Sequence, residues 1–90
     1  MDRDDDTWTT KVTDLATEAT VLRQLLEVHP VLMTEAELVR EIAGESPDFA
    51  QRDAIERAVR DLGGVGLIHA GGEFVVPTRA ALHFSELLDH

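Results

Sequence analysis

Apolar positions recur along this chain at two periods. Trp8, Val12, Leu15, Ala19, Leu22 and Leu26 follow one another at steps of four and three, which is the spacing of one helical stripe. From Val21 onward the apolar arc widens, because Val21, Leu25 and Val28 fall beside Leu22 and Leu26. A helix apolar over so broad an arc packs against several neighbours. Thr9, Thr10, Thr13 and Thr17 weaken the first half, so the secure helix starts near Thr13 or Asp14. It stops at His29-Pro30, since the residue before proline avoids helical backbone.

Val31-Leu32-Met33 reads as a short extended piece. Thr34-Glu35-Ala36-Glu37 is a capping box, in which the threonine hydroxyl takes an orphan N–H and Glu37 reaches back. The second helix then runs to about Ala43 with Leu38, Val39 and Ile42 inward, and Gly44 ends it. Ser46 and Pro47 suit a cap and a first helical position. The third helix has a break around Phe49 and places Ile55, Ala58, Val59 and Leu62 on one face. Gly63, Gly64 and Gly66 stop it.

The period then changes to two. Gly71-Gly72 suits a two-residue hairpin turn, which pairs Ala70 with Glu73, His69 with Phe74, Ile68 with Val75 and Leu67 with Val76. Thr78 caps a last helix with Ala80, Ala81, Phe84, Leu87 and Leu88 along one side.

Ninety residues make one small domain. No apolar run reaches the ~18 residues of a membrane span, so no membrane partner is expected. The acidic start lacks the basic opening of a secretory signal. Cysteine is absent, which excludes disulfides and zinc–thiolate sites and sets a cytoplasmic expectation. The net charge is −10. Residues 1–11 contribute little of it, because Asp2, Asp4, Asp5 and Asp6 are offset in part by Arg3 and Lys11. That stretch reads as an acidic, disordered tail before a domain spanning residues 12–90. The acidic body repels phosphate at long range.

The order of helix, short strand, helix, helix, hairpin, helix resembles the winged helix-turn-helix family, from about Val12 to Leu88. Three segments support it. Met33-Thr34-Glu35-Ala36-Glu37-Leu38 is similar to the start of helix two in that family. Leu62 to Ile68 is similar to the end of the recognition helix, and Pro77-Thr78-Arg79-Ala80-Ala81 to the exit from the wing. The resemblance implies an α+β, mostly helical fold: a three-helix core, a β-hairpin wing and a C-terminal helix. It also implies a third helix able to enter a major groove and a wing able to touch backbone. Fold alone does not assign a function.

On that third helix Arg52, Arg57 and Arg60 lie off the apolar stripe and are the candidate nucleic-acid contacts. Asp48, Asp53, Glu56 and Asp61 share the helix, so the pairs 48/52, 52/56, 53/57, 56/60 and 57/61 are opposite in charge at i,i+4. Such pairing neutralises the arginines before a phosphate arrives. The wing tip, Ala70-Gly71-Gly72-Glu73, has no cation for phosphate. His69 reads as a half-buried strand residue beside Phe74. His29, His69, His83 and His90 lack metal-ligand spacing. No nucleophile has a base beside it, and the glycine cluster follows a helix where a phosphate loop precedes one. No catalytic residue, metal or cofactor is expected, and the chain does not read as an enzyme.

Apolar residues beyond the needs of the core are the candidate protein interface: Trp8, Val12 and Leu15 on the first helix, Ile68 and Val75 on the hairpin, and Leu82 on the last helix. The leading expectation is a non-enzymatic winged-helix regulatory protein acting through protein contacts in a transcription-related setting. It includes a weak, salt-favoured homodimer formed through the terminal helices. The alternative is a conventional winged-helix DNA-binding regulator. The third is an acidic decoy that mimics nucleic acid.

Overall fold

The computed structural model of the chain describes residues 3–89, with side chains from residue 13 onward. Seven elements follow in order: α1 (Arg3–Val28), β1 (Met33–Thr34), α2 (Glu35–Ala43), α3 (Phe49–Gly64), β2 (Ile68–His69), β3 (Phe74–Pro77) and α4 (Arg79–Asp89). The fold is α+β and mostly helical. Its strands form one small antiparallel sheet with β3 between β1 and β2. α1 begins within the stretch that the sequence assigns to an acidic tail, and the side chains of Trp8 and Val12 lie outside the described residues.

The helix boundaries follow from local chemistry. Thr34 closes its capping box: its hydroxyl accepts from the Glu37 N–H at 3.1 Å, and its own N–H donates to Glu37 Oε1 at 2.9 Å. α3 is capped differently from expectation. Asp48, not Ser46, is the N-cap, and it forms a reciprocal box with Gln51 at 2.8 and 3.1 Å. A carboxylate-and-amide pair satisfies two orphan donors at once, which a serine followed by proline does not. Past the end of α3, Gly66 turns through a positive φ of 87°, where a side chain would be strained. This lets the Leu67 N–H return to the Leu62 carbonyl at 3.0 Å.

The core sits between the first three helices and one face of the sheet. α1 contributes Val21 and Leu25, α2 Leu38 and Val39, and α3 Ile55, Ala58, Val59 and Leu62; Met33, Ile68 and Val75 close it from the sheet. α3 packs chiefly on α1. The buried stripe of α1 is therefore Val21 and Leu25. The stripe expected from Leu15 to Leu26 lies to one side: Leu15 and Ala19 are exposed, and Leu22 and Leu26 are half-buried. Both stripes are apolar, and the position of α3 decides between them.

The hairpin forms, but its register differs from expectation by two residues. Ile68 pairs with Pro77 and His69 with Val76, so the chain reverses through more than Gly71 and Gly72. The register is anchored at the base. The Thr78 N–H donates to the Leu67 carbonyl at 3.0 Å, and the Thr78 hydroxyl donates to the Gly66 carbonyl at 2.8 Å. A slip of two preserves the faces, since strand side chains alternate with period two. Ile68 and Val75 consequently share a face and are buried to 2% and 4% exposure. They belong to the core and leave the set of interface candidates. His69 turns out to be exposed rather than half-buried.

Thr78 also caps α4, its hydroxyl accepting from the Ala81 N–H at 3.2 Å. That anchor sets the rotation of the helix. Ala81 is buried on the core, and Leu82 and Ser85 are half-buried. Leu82, expected to point outward, thus turns partly inward. The stripe expected to pack, Phe84, Leu87 and Leu88, is 56%, 59% and 71% exposed.

Candidate functional site

Two surfaces contain the residues that the sequence singles out. The first is the outer side of α3. Arg57 is engaged there from both sides, by Asp53 one turn earlier and by Asp14 of α1 at 3.3 Å. It is a strut between two helices. The expected pairs 48/52, 52/56, 56/60 and 57/61 are not closed within 4.0 Å among the described residues. Asp48 is occupied as a cap, and Asp61 turns toward Glu18 of α1.

Arg52 and Glu56 line a cleft of about 420 Å³ between α2 and α3, together with Glu35, Arg40 and Glu45. Three carboxylates against two guanidiniums leave no net cation there. Arg60 is exposed. The three candidate arginines therefore do not converge: one bridges to α1, one faces α2 among glutamates, and one faces solvent. The hairpin tip, residues 70–73, is exposed and carries only Glu73.

The seam between α1 and α3 is more acidic than the sequence suggested. Glu18 is half-buried. Burial pushes its carboxyl pKa up from the ordinary range, and the charges of Asp61 and Asp14 push the same way. The signal was available: Asp14, Glu18 and Val21 are spaced four and three, which sets the two acids beside the buried stripe. Among the described residues no group of three His, Asp or Glu side chains is placed to hold a metal. The closest approach between His83 and Glu86 is 3.9 Å, and both are exposed.

The second surface lies between α1 and α4. The outer stripe of α1 and the exposed stripe of α4 face one groove of about 530 Å³, whose apolar walls are Ala19, Leu22 and Leu26 on one side and Phe84 and Leu88 on the other. Leu15 and Leu87, each more than half exposed, add to the same two stripes. An apolar surface left open in this way costs free energy in water at roughly 25 cal/mol per Å², and contiguous exposed patches mark contact sites. Leu15, one of the interface candidates, continues the α1 stripe one turn beyond the groove's lining. The sequence places Phe84, Leu87 and Leu88 along one side of the last helix, because their periodicity shows that they share a face but not which way the helix is turned.

Among the described residues no helix is long and apolar enough to cross a membrane. The groove, the acidic seam and the divided arginines must be interpreted from this chain alone: no family model, no curated protein and no solved structure matches it.

Proposed function

We propose that the chain is a winged-helix protein that works through protein contacts, in a transcription-related setting, and neither reads nucleic acid nor catalyses a reaction. The order of elements and the caps at Thr34 and Thr78 support the winged-helix reading. The observation that carries the functional reading is the open apolar groove between α1 and α4. It gives a protein partner something to bury.

Electrostatics supports the same choice. A DNA reader gathers cations along the face that meets phosphate. Here Arg57 is held by two aspartates and Arg52 stands among glutamates. The second reading, a DNA-binding regulator, draws on Arg60, which is exposed with no ion pair among the described residues.

Fluorescence anisotropy with labelled duplex DNA at low salt separates the two. The expected result is no binding in the micromolar range. Micromolar binding that weakens steeply with salt, and disappears in an Arg57→Ala, Arg60→Ala variant, would sink the protein-contact reading.

A further inference from the structure

The chemistry around the α1–α4 groove narrows the kind of partner. Its walls are apolar, and its charged rim is formed by Arg23, Glu27 and Asp89. Glu86, two residues on from Phe84, lies on the opposite side of α4 and off the rim. Neither α1 nor α4 has a basic residue in its last turn. The C-terminal end of a helix carries the negative pole of the helix dipole, which cations normally offset. In both helices the last turn instead adds carboxylates to it, Glu27 in one and Glu86 and Asp89 in the other.

A groove walled by two helices accepts a third by ridge-into-groove packing. The strands β1 and β2 are only two residues long, so they offer little edge for an added strand. A second copy of this chain fits the shape but not the charge. Its matching stripe on α4 is flanked by the same Asp89, and each copy brings a net −10.

We infer that the α1–α4 groove receives an amphipathic helix of a partner protein, with its apolar stripe seated between Leu22, Leu26, Phe84 and Leu88 and with lysine or arginine flanks meeting Glu27 and Asp89. This rests on the reading that the chain works through protein contacts. The acidic body as a whole draws a basic partner in, and the rim carboxylates orient it.

The test uses the full chain and three dye-labelled synthetic peptides. One is a helix with leucines along one face and lysines flanking them. The second has glutamate in place of each lysine. The third has the lysine peptide's composition, scrambled so that no apolar stripe forms. The lysine helix binds, and the other two bind at least about tenfold more weakly, a difference of roughly 1.4 kcal/mol. Phe84→Ala with Leu88→Ala weakens binding by a similar factor; both side chains are more than half exposed, so the fold tolerates the change. Glu27→Lys with Asp89→Lys abolishes the preference for lysine. Glu41→Lys with Glu45→Lys changes net charge equally, away from the groove, and leaves binding within about threefold.

Equal binding of the scrambled peptide, or an equal loss in the Glu41/Glu45 variant, would reduce the effect to bulk charge and overturn the inference. So would equal binding of the glutamate helix. A homodimer in sedimentation that the Phe84/Leu88 variant dissolves, and that excludes the lysine helix, would make a second copy the occupant and overturn it too. A protein that binds neither duplex DNA nor the lysine helix overturns this inference alone. Duplex binding through the arginines overturns the wider reading along with it.

Discussion

Replacing Thr78 by valine keeps the shape of the side chain and removes its hydroxyl. That hydroxyl donates to the Gly66 carbonyl at 2.8 Å and accepts from the Ala81 N–H at 3.2 Å, in a residue only 9% exposed. Losing an N-cap of this kind costs about 0.5–2 kcal/mol. Leaving the Gly66 carbonyl without its donor adds about 1–3 kcal/mol, to the extent that water cannot reach it. Together the loss is on the order of 2–4 kcal/mol, a large part of the ~5–15 kcal/mol that holds a domain folded. At about 4–8 °C per kcal/mol for a chain of this size, the thermal midpoint falls by on the order of 10–25 °C. Thr78→Ser keeps both bonds and removes one methyl, costing about 0.8 kcal/mol. Urea denaturation followed by circular dichroism measures both variants, and an unchanged m-value shows that the unfolded state is the same. If valine lies within about 0.5 kcal/mol of wild type, or if serine costs as much as valine, then the hydroxyl does not pin the hairpin and the reasoning fails.

Ile55→Ala removes a side chain 3% exposed at the α1–α3 contact and costs about 2–5 kcal/mol by urea denaturation, through lost burial and a cavity. Glu18→Gln raises stability at neutral pH, because the fold disfavours the ionised carboxylate beside Asp61 and Asp14. The sign follows from the raised pKa. Wild-type stability falls as pH rises from the unfolded carboxyl value through the raised folded one. The advantage of the variant is therefore absent on the acid side of that window and full above it. Thermal melts of both proteins across this range check it, and an equal difference at every pH would assign the effect to packing.

The parts of the fold legible in the sequence are those fixed by neighbours along the chain. The Thr34–Glu37 box and the cap at Thr78 each depend on a few adjacent residues, and each stands as expected; α3 runs on through Gly63 and Gly64 before it stops at Val65. Asp48 and Gln51 were equally visible as a three-residue-spaced pair, but Ser46-Pro47 competed for the same role. What the sequence could not settle were choices made by distant partners. α1 has two apolar stripes, and the position of α3 buries Val21 and Leu25. The hairpin register depends on Thr78 reaching back to Gly66 and Leu67, not on the glycines at its tip. For the site, Leu15 was legible as surplus apolar surface. Phe84 and Leu88 were legible as one side of the last helix, but not as open surface, because the rotation of α4 comes from its anchor and periodicity carries no information about rotation.

That anchoring at the base relieves the tip of the hairpin of any structural duty. Gly71 and Gly72 do not adopt the positive φ found at Gly44 and Gly66, and a Cβ built on either meets no atom within 4 Å. Neither position needs glycine, so alanine at each is accommodated and gains about 0.4–1 kcal/mol by restricting the unfolded chain. The tip is thus a natural handle for an engineer. A fluorophore attached through a cysteine placed there, in a chain that has none of its own, would label the protein at a single point. It would report on partners docking at α1 and α4 without occupying the surface they use.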